Sequence, residues 1–119
     1  MTAVGTTQTF YFALDLKNDP ELIEIYKRFH EPAHIWPEIV AGIKEVGILE
    51  MKIFLAGDRL FMLLETPGGF DLNAGFKKMG ELPRQREWAE LMARFQQKLP
   101  FAKPGEYWVQ LSQVFDLNS

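Results

Sequence analysis

The sequence lacks cysteine, has only two histidines and contains no long apolar run. Without cysteine it offers no disulfide, no thiolate metal ligand and no thiol nucleophile, which fits a reducing cytoplasm. No stretch reaches the roughly 18 apolar residues that a membrane span requires, so we expect no membrane partner. The 13 basic and 16 acidic residues give a formal net charge of -3, so we expect no nucleic-acid partner either.

The residues that are present are typical of one globular domain. The chain has 119 residues, of which 47% are hydrophobic, and this is enough to build a core. Residues 1–8 are polar and lack the basic and apolar segments of a secretory signal. We therefore interpret 1–8 as a flexible lead, expect a single domain over 9–119, and expect the protein to be cytoplasmic.

Local patterns predict an α+β fold. Apolar periodicity and turn residues predict strands over 9–16, 50–56, 60–65 and 106–115, and helices over 37–46, 70–79 and 84–99. They also predict a first helix that starts at Asp19-Pro20, carries His30 and is broken by Pro32. This order is that of ferredoxin-like folds, in which a four-stranded antiparallel sheet carries helices on one face. The first strand is apolar on both sides up to Asp15, so we expect a homodimer in which two sheets meet.

Two residues of the first predicted helix form the core of the candidate site: His30 as the acid–base group, and Tyr26, which either binds a sugar hydroxyl or shares in proton transfer. Asp19 is expected to cap this helix at its start. Tyr26 and His30 then lie four residues apart and share one face of the helix. An imidazole and a phenol that converge in this way can transfer protons near neutral pH. Because aromatic rings nearby can stack on the apolar face of a sugar, the segment indicates acid–base chemistry on a small polyol.

Three further candidate residues each allow two interpretations. Trp88 either stacks on a sugar or continues an apolar helix stripe. Trp36 either contacts substrate or packs as a hydrophobic staple on the next helix. His34 is either an accessory acid–base group or a loop residue. With no third histidine in the chain, His30 and His34 are not expected to hold a metal, and no cofactor is expected.

Several motifs together resemble the L-rhamnose mutarotase family over roughly residues 9–117. They are Phe-Ala-Leu-Asp-Leu at 12–16, the pair Tyr26 and His30, Ile-Trp-Pro-Glu-Ile at 35–39, Arg-Leu-Phe-Met at 59–62, Glu-Trp at 87–88, Phe-Gln-Gln at 95–97 and Val-Phe at 114–115. The resemblance implies a dimeric α+β barrel without a metal, which interconverts the α and β anomers of a 6-deoxyhexose. It also implies that His30 is the proton donor and that Tyr26 and Trp88 hold the sugar.

The chain departs from the family pattern at three places. Trp36 follows His30 by six residues, where the rhamnose enzymes have four. Met51 stands where a substrate-contacting tyrosine is expected, and Ala89 stands where a second tryptophan is expected. These changes alter the wall of the implied pocket, so L-fucose stands beside L-rhamnose as the expected sugar.

Two other classes of function stay open at this stage. The first is a small monooxygenase or haem-binding protein of the same architecture, in which the histidine of the first helix would ligate haem. The second is a non-enzymatic dimer that binds sugar without exchanging its anomers. Fold analogy alone does not choose among these functions.

Overall fold

The fold is a sheet with helices packed against one of its faces. The computed structural model describes residues 6–119. Its elements are β1 (Thr7–Leu16), α1 (Pro20–Phe29), α2 (Pro37–Glu45), β2 (Glu50–Ala56), β3 (Arg59–Pro67), α3 (Leu72–Gly80), α4 (Gln85–Ala93), β4 (Gln96–Gln97) and β5 (Val109–Gln110). The sheet order is β2-β3-β1-β4, and β5 also pairs with β1. The predicted ferredoxin-like order of elements is therefore confirmed, with two short strands in place of one fourth strand.

The first two helices begin where the sequence predicts them. The Asp19 carboxylate accepts hydrogen bonds from the backbone N–H groups of Glu21, at 3.0 Å, and Leu22, at 3.2 Å. These bonds satisfy N–H groups that have no partner inside the first turn of α1. Pro37 occupies the first position of α2. Gly47, at φ 102°, follows the end of α2, because glycine adopts a left-handed conformation without a steric penalty.

The long central strand β1 organises the sheet and its core. It pairs antiparallel with β3 from Thr7 opposite Pro67 to Asp15 opposite Arg59. Alternate residues of these strands face the helices and are buried, namely Phe12, Leu14, Leu16, Leu60, Met62 and Leu64. The core therefore lies between the sheet and the helices, and this is where any enclosed site must form. Among residues 6–119, no helix combines the length and apolar character needed to cross a membrane.

The first strand begins earlier than predicted. β1 begins at Thr7, because Thr7 and Gln8 pair with Pro67 and Thr66 of β3. Residues 1–5, the rest of the predicted lead, lie outside the described part of the chain. The expectation of a single domain over 9–119 stays a prediction.

The last predicted helix ends six residues early. α4 ends at Ala93, and Gln96 and Gln97 form β4 against Leu16 and Asp15. The apolar spacing continues to Leu99, which is buried although it is not helical. Helical periodicity overran the true end because the open edge of β1 offers backbone hydrogen bonds that compete with another helical turn.

The final strand is also shorter than predicted. Only Val109 and Gln110 pair with β1, and a further backbone bond joins the Leu111 N–H to the Tyr11 carbonyl at 2.8 Å. Beyond this point a cleft lies between β1 and the C-terminal segment, and residues 111–119 are exposed. The apolar residues of this tail are therefore exposed to solvent in one copy of the chain.

Candidate active site

A cavity of about 430 Å³ lies between the sheet and the helices. Its wall is mostly apolar and includes Phe12 of β1, Ile53 of β2 and Met62 of β3. Tyr26 and His30 also line the cavity. The same two residues line a second opening of about 520 Å³ beside β2. Small-molecule sites have this character, because apolar walls enclose a few oriented polar groups.

His30 follows the last residue of α1 and has one ring nitrogen anchored. Its Nδ1 lies 2.7 Å from the backbone oxygen of Tyr26. Because a carbonyl oxygen only accepts, Nδ1 donates this bond and carries the proton. The backbone N–H of His30 instead reaches Lys27, so the ring takes a carbonyl that the helix end leaves available. In the neutral ring Nε2 then keeps its lone pair and can accept a proton.

The protonation state of His30 follows from its surroundings. Burial lowers the pKa of His30 below its ordinary value of 6.5, and the bond to the Tyr26 carbonyl only partly opposes this effect. The imidazole is therefore neutral at pH 7. Together with the anchored Nδ1–H, this makes Nε2 a base whose position is set by the helix.

Tyr26 lies one helical turn before His30 and supplies a protonated phenol. The two rings lie 4.3 Å apart between centroids, so the predicted sharing of one helix face is confirmed. Burial raises the pKa of Tyr26 to about 12, although the polar side chain of Gln96 nearby opposes part of the rise. At neutral pH the phenol therefore keeps its proton beside a neutral imidazole.

Trp88 forms an aromatic wall of the cavity. It comes from α4, and its ring meets the His30 ring edge to face at a centroid distance of 5.4 Å. The ring also packs against Phe29 of α1. Trp88 thus holds the imidazole on one side and presents apolar surface to the cavity, as stacking on a sugar requires.

The structure does not bring Trp36 to the cavity wall. Its ring packs against Trp88 at a centroid distance of 5.1 Å, and the guanidinium of Arg84 lies 3.8 Å from its centroid on the ring. Trp36 therefore supports Trp88 from behind, through α4 rather than as a staple on α2, and its predicted contact with substrate stays a prediction.

His34 also lies apart from the cavity. It is exposed on the loop between α1 and α2, where its Nδ1 lies 3.2 Å from the carboxylate of Glu31. Nothing in this position links it to His30. Among residues 6–119, no three His, Cys, Asp or Glu side chains lie close enough together to hold a metal ion.

Sequence reasoning missed three polar residues that line the cavity. Gln85 begins α4, Gln96 lies in β4, and Trp108 precedes β5. The helical spacing places Gln96 inside the predicted helix 84–99, which is too long. No local pattern distinguishes Gln85 from a surface glutamine. Met51 and Ala89, two of the departures from the family pattern, do line the cavity as expected.

The arrangement suits a small polyol with one apolar face. Neutral Nε2 of His30 accepts a proton, and the phenol of Tyr26 donates one. The amides of Gln85 and Gln96 add polar atoms to a wall that is otherwise apolar. A pyranose has hydroxyl groups at its rim and C–H groups on its faces, which match these two kinds of surface.

Comparison with known proteins is consistent with this geometry. The model of the L-rhamnose mutarotase family matches residues 9–117. The chain is 40% identical to the L-fucose mutarotase of Xanthomonas campestris pv. campestris over 111 residues, which are 93% of this chain and 89% of that protein. It is 34% identical to the L-rhamnose mutarotase of Acidiphilium cryptum over 97 residues, which are 77% of this chain and 85% of that one.

A solved structure supports the fold. The crystal structure of an L-rhamnose mutarotase from Formosa agariphila matches with a TM-score of 0.65 at 21% sequence identity. The match covers 92% of this chain and 98% of that one. The predicted fold class, the ferredoxin-like α+β fold of dimeric barrels, is thereby confirmed.

Proposed function

Because the chain belongs to the L-rhamnose mutarotase family, we propose that it is an isomerase that interconverts the α and β anomers of a 6-deoxyhexose. The observation that carries this proposal is the imidazole of His30, which is anchored through Nδ1 and lines the cavity beside the protonated phenol of Tyr26. Mutarotation needs one proton acceptor and one proton donor, and these two groups supply them.

The proposed reaction opens and closes the sugar ring. His30 Nε2 takes the proton of the anomeric hydroxyl, the bond between C1 and the ring oxygen breaks, and the ring oxygen takes the phenolic proton of Tyr26. The aldehyde at C1 rotates, and the freed hydroxyl attacks its other face. In this closing step His30 returns its proton to the oxygen on C1, and the attacking hydroxyl returns a proton to Tyr26. No electron or group is gained or lost.

Both groups are in the protonation state that the reaction needs at neutral pH. The lowered pKa of His30 keeps the base unprotonated, and the raised pKa of Tyr26 keeps the donor protonated. Each positioned proton-transfer group is worth roughly 10²–10⁴ in rate. We assign sugar binding to Trp88 and only a supporting role to Trp36, since Trp36 packs behind it. The accessory role predicted for His34 has no support from its exposed position.

L-fucose is the sugar that we favour. The relative named an L-fucose mutarotase shares 40% of its residues with the chain, and the relative from Acidiphilium cryptum named an L-rhamnose mutarotase shares 34%. Met51 and Ala89 also change the cavity wall where the rhamnose pattern has larger aromatic residues. The family match favours mutarotation over the monooxygenase, haem-binding and non-enzymatic alternatives.

We further propose that the chain acts as a homodimer. On the sheet face away from the helices, which we call the outer sheet face, Tyr11, Phe54 and Phe61 are exposed. Phe54 lies directly opposite Phe61 across the β2–β3 pair, so the apolar surface is continuous. The tail carries Val114, which is 95% exposed, together with Phe115 and Leu117. A second copy would cover both surfaces by two-fold symmetry.

Other expectations from the sequence stay predictions. These are a cytoplasmic location, independence from a metal or other cofactor, and the absence of nucleic-acid and membrane partners.

Exchange spectroscopy tests the proposed activity. The resonance of one anomeric proton of L-fucose, L-rhamnose or D-glucose is saturated, and the transfer of saturation to the other anomer is measured with and without protein. We expect transfer that depends on the protein for the two 6-deoxyhexoses, faster for L-fucose and slower or absent for D-glucose. Exchange at the uncatalysed rate with both 6-deoxyhexoses would refute the proposal.

A further inference from the structure

Gln85 is a buried polar side chain in the wall of the cavity. It is 7% exposed and is one of two polar residues classed as buried in the described part of the chain. It begins α4, three residues before Trp88, and both side chains face the same cavity. The bond-making steps proposed above use neither of its polar atoms, so its burial needs another explanation.

One end of the Gln85 amide is tied to the neighbouring helix. Nε2 donates hydrogen bonds of 3.3 Å to the backbone oxygens of Glu38 and Ile39 in α2. Since carbonyl oxygens only accept, these contacts fix which end of the amide is nitrogen. Both N–H groups are thereby used, and Oε1 is the remaining polar atom.

Two unusual backbone features accompany the contact between Gln85 and α2. Gly42 lies in the middle of α2, and a Cβ there would overlap with Nε2 of Gln85. Glycine inside a helix is unfavourable, so its presence here is explained by the close approach of the amide. Arg84, just before Gln85, is the one non-glycine residue among 6–119 with a left-handed φ, at 65°. Two locally unfavourable choices therefore meet at Gln85, as occurs at binding sites.

In the described part of the chain, the remaining oxygen of Gln85 is without a protein partner and is not fully occluded. Within residues 6–119, Oε1 has no protein hydrogen-bond partner. In the same part of the chain, no fully occluded side-chain nitrogen or oxygen lacks a partner. Oε1 is therefore not occluded, and Gln85 is one of the residues that line the cavity. An oriented acceptor in an apolar wall is suited to a ligand hydroxyl.

We propose that Oε1 of Gln85 accepts a hydrogen bond from a non-anomeric hydroxyl of the sugar and so helps to set which sugar is used. This inference rests on the proposed mutarotase function. L-fucose and L-rhamnose differ only in the configuration of ring hydroxyls, at C2 and C4. A fixed acceptor for the C2 or C4 hydroxyl discriminates between these two diastereomers, because the wrong sugar leaves the buried oxygen without its partner.

Two substitutions separate recognition from support of α2. Gln85→Met and Gln85→Glu both remove the two donors to α2, but only Gln85→Glu keeps an oxygen acceptor at the cavity. Anomer exchange is measured for each variant on L-fucose, L-rhamnose and the 2-deoxy, 3-deoxy and 4-deoxy forms of the preferred sugar. Dividing each variant rate by the wild-type rate for the same sugar removes differences in intrinsic reactivity.

We expect Gln85→Met to lower kcat/KM about tenfold on the preferred sugar, the effect of one lost hydrogen bond, and to narrow the fucose-to-rhamnose ratio. The exchange rate of one deoxy sugar should not change with this substitution, because that sugar already lacks the hydroxyl that Gln85 binds. Gln85→Glu should keep the wild-type sensitivity to that hydroxyl. Equal losses on every sugar in both variants would show that Gln85 only supports α2, and would overturn the inference.

Wild-type protein alone provides a second check if Gln85→Met does not fold. The inference requires that at least one of the three deoxy sugars be exchanged more slowly by the wild-type protein than the parent sugar, relative to their uncatalysed rates. If none is slower, Gln85 recognises no such hydroxyl. Failure of the mutarotase proposal is distinguishable, since the wild-type protein would then exchange neither parent sugar.

Discussion

At the scale of single residues, the end of α1 determines the chemistry of His30. The ring binds a backbone oxygen four residues back, and this oxygen belongs to the other member of the pair, Tyr26. One local bond therefore orients the base, fixes its tautomer and couples it to the residue that supplies the donor. The i, i+4 spacing predicted that the two side chains share one face of the helix, whereas the bond between the ring and the backbone carbonyl became visible only in the structure.

The pH dependence of exchange tests the protonation states. A lowered pKa means that His30 stays neutral, and active as a base, to a pH below its ordinary value of 6.5. We expect kcat/KM, corrected for uncatalysed exchange, to be flat around pH 7 and to fall only on the acid side of pH 6.5. The alkaline loss from Tyr26 should not begin until the approach to its pKa of about 12.

An acid limb centred above pH 6.5 would contradict this account of His30. The corresponding control is a profile of thermal unfolding over the same pH range. If the protein stays folded where activity falls, the limb reports the titration of a group in the active site rather than loss of structure.

The residues that sequence reasoning missed owe their position to distant contacts. The partners of Gln85 lie 46 and 47 residues away in the chain, so no local pattern indicates them. Gln96 contacts Tyr26 only because β4 closes on β1. Trp36, a predicted sugar contact, packs against Trp88 from a distant part of the chain, a partner that no local pattern indicates.

At the scale of elements, the sequence predicted where the helices start better than where α4 and the final strand end. Asp19 and Pro37 are residues that favour helix starts through local interactions, and α1 and α2 begin at these two places. α4 and the final strand were predicted too long, because both end where the edge of β1 is shared between β4 and β5. That competition involves residues about 80 to 100 positions apart and has no local signature.

A pair of glycine substitutions tests the packing of α2 against α4. Gly42→Ala should push the Gln85 amide off α2, because the new methyl group overlaps with Nε2. We expect a loss of about 1 kcal/mol in the free energy of unfolding, as is usual for overpacking. Gly80→Ala is the matched control, since a Cβ there meets nothing within 4 Å and alanine favours the helix. Urea unfolding measures both changes.

The expected order is Gly80→Ala at least as stable as the wild-type protein, and Gly42→Ala less stable. Gly42→Ala should also reduce sugar selectivity, since it displaces the proposed acceptor. If Gly42→Ala proves as stabilising as Gly80→Ala and leaves selectivity unchanged, the close contact between α2 and Gln85 is not as described.

At the scale of the whole molecule, one copy leaves apolar surface uncovered in two places. The outer sheet face presents aromatic residues, and the tail over 111–119 extends away from the sheet. The sequence predicted a second copy from the same imbalance, because β1 is apolar on both sides. The 430 Å³ cavity lies on the opposite face of the sheet, whereas Phe54 of the outer sheet face also lines the second opening beside β2 together with Tyr26 and His30.

Two phenylalanines provide a matched test of the dimer. Phe54 on the outer sheet face is 56% exposed, and Phe101 on a loop is 68% exposed. Phe54→Lys should shift the protein toward monomer, because a buried, unpaired ammonium group is costly in an interface. Phe101→Lys should leave the mass unchanged. Light scattering coupled to gel filtration gives both masses, and a monomeric wild-type protein at micromolar concentration would contradict the proposal.

The most direct test of the central claim compares the two histidines of the chain. His30→Asn keeps an N–H group that can bond the Tyr26 carbonyl but removes the base, whereas His34→Asn alters an exposed loop residue. Saturation transfer between the anomers of L-fucose measures both variants. We predict that His30→Asn lowers protein-dependent exchange by about 10²–10⁴ and that His34→Asn retains the wild-type rate. A His30→Asn protein with wild-type exchange would contradict the claim that this imidazole is the catalytic base.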